Sequence, residues 1–171
     1  MTHIVEADEI RTLGRPIGKV TAEKLDAFIT EAEQLFIKPV LGEDLYYAIL
    51  SDDAAENETI QTLLAGGQYT DGRGVLHGFV GLKVAVSYYV YAQNIMSGDI
   101  ESTRFGMVMK NGEYSTRVSG KERSDAYNNA LEVAKAYLQE CVGYCLYAGL
   151  IKRAGKSKYA VGGITIRRIG R

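Results

Sequence analysis

The sequence predicts a mainly α fold, a helical bundle around a buried central helix, with a small β-hairpin excursion and a short C-terminal strand. Three observations carry this expectation. Leu25, Phe28, Ile29, Ala32, Leu35 and Phe36 recur at the spacing of one helix face. Residues 76–97 are apolar nearly all round and hold about twenty positions without a turn signal, which marks a central helix buried on most sides. Ala126, Ala130, Val133, Ala134, Tyr137, Leu138, Cys141, Val142 and Cys145 keep one stripe through 122–148, a C-terminal helix of about 40 Å at 1.5 Å per residue.

Taken in order, residues 1–20 are polar, with Gly14, Pro16 and Gly18 close together. They read as an N-terminal arm with at most a short helical turn around Ala7–Leu13. Thr21 is a plausible N-cap for a helix over 22–37, and Pro39 is expected to end it. A short helix over 43–51 carries Glu43 and Asp44 in its first turn, where the helix dipole favours acids. Another over 56–65 uses Ile60, Leu63 and Leu64 and stops at Gly66–Gly67. Residues 68–76 contain Asp71–Gly72, a loop or a tight hairpin. Between the long helices, 98–120 is either a small hairpin turning at Asn111–Gly112 or an extended excursion. Antiparallel helices need a connection of only a few residues, so an insertion this long points to a function. Beyond Gly149, Ile164-Thr-Ile-Arg-Arg-Ile alternates as a strand does. The organisation is thus an arm over 1–20, a helical domain over 21–148 and a basic tail over 149–171. The 171 residues suit one domain with a core of its own.

Catalytic patterns are scarce. His3 and His77 are the only histidines, one in the arm and one at the mouth of the central helix. Gly72-Arg73-Gly74 lacks the Lys-Ser/Thr ending of a phosphate loop, and no Gly-x-Ser-x-Gly elbow occurs. Glu43–Asp44 and Asp52–Asp53 read as solvated charges, because an acid–base pair needs two environments that push its pKa values apart. Cys141 and Cys145, one turn apart on a helix, read as buried hydrophobes without a disulfide. No catalytic, cofactor-binding or metal-binding residue is assigned, and no enzyme is expected. An acidic N-terminus and the lack of a long apolar run argue against a signal peptide and a membrane span, so the expected location is intracellular.

Tyrosine and charge say more. Tyr88, Tyr89 and Tyr91 fall on the central helix, and Tyr137, Tyr144 and Tyr147 on the last. They serve either core packing with hydroxyls at the edge or an oligomer interface. The net charge of −1 conceals a gradient: residues 1–60 sum to −8, residues 61–150 to 0 and residues 151–171 to +7. Lys152, Arg153, Lys156, Lys158, Arg167, Arg168 and Arg171 make up the basic end and are candidate interaction residues. Asn111, Gly112 and Tyr114 of the excursion are the others. The tail is simply solvated, contacts nucleic-acid backbone through counterion release, or docks on the acidic part of a neighbouring copy. The last would be a heterologous contact, closing into rings or running on as filaments.

Leu35-Phe36-Ile37-Lys38-Pro39-Val40-Leu41-Gly42 closing the first helix, the Tyr-rich buried helix, Phe105-Gly-Met-Val-Met-Lys-Asn-Gly-Glu-Tyr-Ser and the long final helix occur in that order. Over residues 20–148 this arrangement resembles the head–tail connector (adaptor) proteins of tailed phages, in particular those of phages and prophages of gut Bacteroidetes. The resemblance implies a structural virion protein that forms an oligomeric ring between portal and tail. Its partners would be further copies, the portal and a tail or stopper protein, with non-specific DNA contact as an alternative use of the tail. It implies no catalytic residues and no cofactor, and places the protein in the virion or the host cytoplasm. The alternatives are a helical protein–protein interaction module and a nucleic-acid-binding protein acting through its tail.

Overall fold

The computed structural model describes residues 3–18, 20–97, 100–103, 106–109 and 119–152. The chain is mainly helical, with two small antiparallel hairpins. Its helices are α1 (Ala7–Ile10), α2 (Ala22–Ala32), α3 (Lys38–Leu41), α4 (Glu43–Leu50), α5 (Glu58–Ala65), α6 (Leu82–Ser97) and α7 (Gly120–Tyr147). One hairpin joins β1 (Gly67–Thr70) to β2 (Leu76–Phe79), the other β3 (Ile100–Thr103) to β4 (Gly106–Met109).

The long helices α6 and α7 form the centre. The Gly81 backbone lies beside the Cys141 thiol, the Tyr88 and Tyr137 rings meet edge-on at 5.3 Å, and Arg15, bonded to Asn129 at 2.8 Å, lies over Tyr88 and Tyr91. Rising positions on α6 therefore meet falling positions on α7, and the pair is antiparallel. Leu82, Ala85, Val86, Tyr89 and Val90 of α6 pack with Ala134, Leu138, Cys141 and Cys145 of α7, and α2 lays Leu25, Phe28 and Ile29 onto the same core. Ser119 caps α7, accepting from the Glu122 N–H while Glu122 accepts from the Ser119 N–H. Ala130 is the first fully buried residue of α7, so its first ten residues lie outside the packed core.

Four expectations change. The central helix starts at Leu82 and not at 76, because Leu76–Phe79 pairs with Gly67–Thr70. Periodicity alone does not separate strand from helix in so short an apolar stretch, and here the cross-strand pairing decides. Pro39 does not end the first helix. A π-helical turn over Glu33–Ile37, with the Lys38 N–H bonded to the Glu33 carbonyl, restarts the helix so that Pro39 falls in the first turn of α3, where no intrahelical donor is needed. That extra residue rotates the stripe: Leu35 is exposed, whereas Glu33 and Ile37 turn inward. The polar arm also belongs to the core, since Ile4, Val5 and Ile10 are fully buried. Finally, β3 and β4 are joined through 104–105 and not through Asn111–Gly112. Asn111–Gly112 and the expected strand at 164–169 lie outside the described residues.

The cysteines are both buried and unbridged. Burial pushes each thiol up to about 12, so thiolate is scarce at neutral pH. In the native protein a soluble disulfide reagent at pH 8 is expected to label neither on the timescale of minutes, and both after unfolding. Rapid labelling of the folded chain would contradict this packing.

Candidate functional site

The hairpin β1–β2 is positioned by backbone contact at its base. Gly66 and Gly81 have φ of +90° and +93°, and a Cβ on either would fall within 2.7 Å of the other's segment. Only glycine allows the chain to enter and leave the hairpin this closely. Strand alternation then turns Gly67, Tyr69, His77 and Phe79 to one face, with Tyr69 directly opposite His77. That face meets the C-terminal end of α7. Tyr69 stacks between His77, at 5.1 Å, and Tyr147, at 4.7 Å. Phe79 stacks on Tyr144 at 4.7 Å. Gly143 makes room for the arrangement, since a Cβ there would lie 2.9 Å from the Tyr69 hydroxyl.

The result is an open cleft of about 680 Å³, with Tyr69, Asp71, His77, Leu146, Tyr147 and Ile151 among its walls. Tyr147 leaves 54% of its surface to solvent. Asp71 closes the polar end. Its Oδ1 accepts from the Arg73 and Val75 N–H groups at 2.9 and 3.0 Å. Its Oδ2 lies 3.3 Å from both His77 Nε2 and Arg73 NH2. Those backbone N–H groups hold the carboxyl down to about 2. A carboxylate already so engaged shapes the loop and has little basicity left for proton transfer. The folded value is depressed, so its contribution to loop order is full above the ordinary carboxylate range and is lost as pH falls through about 2. Amide exchange at Arg73 and Val75 is expected to lose protection between about pH 4 and 2 before the α7 core does. Simultaneous loss along the whole chain would contradict a local role.

Of the candidate interaction residues, Lys152 is exposed, one position beyond Ile151 in the cleft wall. Arg153, Lys156, Lys158, Arg167, Arg168, Arg171, Asn111, Gly112 and Tyr114 lie outside the described residues. Sequence reasoning saw the Asp71–Gly72 turn, His77 and the α7 tyrosines separately, and missed that they meet. His77 lies on β2, not on the central helix. Of the six tyrosines singled out from the sequence on the central and last helices, Tyr89 and Tyr144 are buried, Tyr88, Tyr91 and Tyr137 are half-buried and Tyr147 is exposed. Core packing thus takes most of them, and Tyr147 is the one left for contacts.

A second feature lies on α4, α5 and the stretch between them. Residues 43–58 carry Glu43, Asp44, Asp52, Asp53, Glu56 and Glu58, all exposed, with no basic residue among them. The Tyr144 hydroxyl, at the floor of the aromatic cluster, donates to the Thr59 carbonyl at 3.4 Å. That bond ties the start of α5 to the end of α7. Among the described residues no group of His, Cys, Asp and Glu side chains could hold a metal ion. No described helix is long and apolar enough to cross a membrane.

A family model described as "Family of unknown function (DUF6712)" matches residues 37–146. No curated protein and no solved structure matches the chain.

Proposed function

We propose, for a chain that belongs to the DUF6712 family, that it is a non-enzymatic assembly subunit of the phage head–tail connector type, forming a ring between portal and tail. One observation carries the reading: charge of opposite sign is segregated to different stretches of the sequence. The exposed edge of α4 and α5 is acidic, and the last 21 residues carry seven cations and no acid. Unlike patches on one chain favour a heterologous contact between copies, which closes into rings or continues as filaments. Two further features support it. The first ten residues of α7 extend beyond the packed core, and Val75 and Leu76 at the hairpin tip expose half or more of their surface. Exposed helix and exposed apolar tips are the material of protein contacts. On this reading the protein works in the virion or the host cytoplasm, with further copies, a portal and a tail protein as partners.

Imaging of the chain mixed with the portal of the same genome is the direct test. Rings seated on the portal are expected. A chain that neither associates with itself nor binds the portal overturns the assignment. Salt-sensitive binding to random-sequence DNA by an otherwise monomeric chain would favour a nucleic-acid role for the tail instead.

A further inference from the structure

We infer that two unlike faces of this chain bind each other across copies: the tip and outer face of the β1–β2 hairpin of one copy dock on the face formed by the π-helical turn, α3 and α4 of a second. The inference rests on the assembly reading and names the surfaces that reading leaves open. Among the described residues eight large hydrophobic side chains are exposed, and six of them fall into two sets of three. Leu35, Val40 and Tyr47 come one each from the π-helical turn, α3 and α4. Val75, Leu76 and Val80 belong to the hairpin. Single exposed apolar side chains are ordinary, whereas grouped ones mark contact sites. Local geometry presents both sets. The π-helical turn carries Leu35 outward. The alternation that sends His77 and Phe79 toward α7 sends Leu76 and Val80 the other way.

The two faces carry opposite charge. On the first, Glu43 and Asp44 are exposed in the opening turn of α4, with Asp44 one turn before Tyr47. Lys38, the base beside them, is already committed: it pairs with Glu43 at 2.9 Å and donates to the Tyr47 hydroxyl at 3.2 Å. Those bonds hold α3 and α4 around a recess of about 410 Å³ lined by Gln34, Lys38, Pro39, Gly42 and Glu43. On the hairpin the signs reverse. Arg73 leaves 86% of its side chain to solvent, and Asp71 only 19%. Asp71 is occupied by the loop, accepting from the Arg73 and Val75 N–H groups. The Arg73 guanidinium reaches Asp71 through Nε and one terminal nitrogen, at 3.4 and 3.3 Å. Its other N–H groups remain for a second carboxylate. Pairing either face with its own copy would set Glu43 and Asp44 against the same acids, or Arg73 against Arg73, and like charges disfavour both. Pairing the unlike faces sets Arg73 against Asp44, and Val75 and Leu76 against Leu35, Val40 and the recess. The occupant is therefore a second copy in heterologous contact, each copy giving one face and receiving on the other.

Sedimentation of the full-length chain across a concentration series tests this. Leu35→Lys and Leu76→Lys alter side chains that are 58% and 63% exposed, so thermal unfolding is expected to stay unchanged. Each is expected to weaken self-association about tenfold or more. Mixing the two variants separates unlike from like pairing. The hairpin of the Leu35→Lys chain is intact, and so is the α3–α4 face of the Leu76→Lys chain. A 1:1 complex is therefore expected at concentrations where neither variant associates alone, which a misfolded variant could not form. Asp44→Arg and Arg73→Asp are each expected to weaken association about fivefold, and both together in one chain to restore it to within about threefold. Association that ignores Leu35→Lys and Leu76→Lys overturns the contact and leaves the assembly reading standing on another surface. Two non-associating variants that form no complex when mixed overturn the pairing of unlike faces. A wild-type chain that stays monomeric to about 1 mM also overturns the inference. Rings on the portal would then uphold the assembly reading without this contact, and their absence would overturn both.

Discussion

Replacing Gly81 with alanine is expected to lower the unfolding free energy by about 3 kcal/mol or more. Two causes add. At φ +93° an L side chain is strained whatever the space. The new Cβ would also lie 2.6 Å from the Ala65 carbonyl carbon, the Gly66 nitrogen and the Leu64 oxygen. Those are backbone atoms, so relief requires the α5–β1 and β2–α6 junctions to part. The hairpin would then lose its fixed place against α7, and with it the stacking of Tyr69 on Tyr147. Gly66→Ala should behave alike, because its Cβ would meet Val80 and Gly81 at 2.5–2.7 Å. Gly72→Ala is the internal control: nothing lies within 4 Å of the added carbon and φ is not positive. It should change stability by no more than about 0.5 kcal/mol. Denaturant melts of the three variants provide the comparison. A loss under about 1 kcal/mol for Gly81→Ala would show that the junctions can separate cheaply.

The second large effect is expected at Glu33. This carboxylate is fully buried and sits in the π-helical turn. It accepts from the Ile4 N–H at 2.7 Å and the Tyr46 hydroxyl at 3.0 Å, with His3 Nδ1 at 3.4 Å. Burial, and after it the Glu33 charge, pushes the Tyr46 phenol up to about 12, so it remains a donor at any working pH. Glu33→Ala would leave the Ile4 N–H without its acceptor and open a void beside Tyr46. About 3 kcal/mol should be lost. Glu33→Gln keeps the shape and one acceptor oxygen, and should cost about half as much. The distinguishing measurement is amide exchange: Ile4 and Val5 should lose protection before α6 and α7 do. Unchanged protection at Ile4 and Val5 in Glu33→Ala would show that apolar packing alone holds the N-terminal segment.

Glu33 also shows why part of the fold was not legible. Helical periodicity assigns Leu35 to the buried stripe and gives a carboxylate no reason to turn inward. The acceptors Glu33 supplies are needed by groups at positions 4 and 46, outside any local window. Once Glu33 faces inward, the π-helical turn carries Leu35 out and Ile37 in. The same limit applies at 76–79. Leu-His-Gly-Phe fits a buried helix by composition, and only its pairing with 67–70 makes it a strand. By contrast, α7 was readable almost to the residue, because its stripe persists over seven turns and no alternative pairing competes with it. Family membership through the match over 37–146 adds no chemistry to this picture.

The sequence by itself determined the helical class, the two long helices, the helix-stopping role of Gly66 and the segregation of charge. Each of these depends on neighbours within a few turns or on a simple sum. Tertiary structure alone decided the burial of Ile4 and Val5, the restart of the first helix past Pro39, and the cleft itself. Tyr69 and His77 lie about seventy residues from Gly143 and Tyr147, and no periodicity reaches that far. They meet because two glycines let the hairpin turn back onto α7 at backbone contact, a distance set by packing and not by pattern.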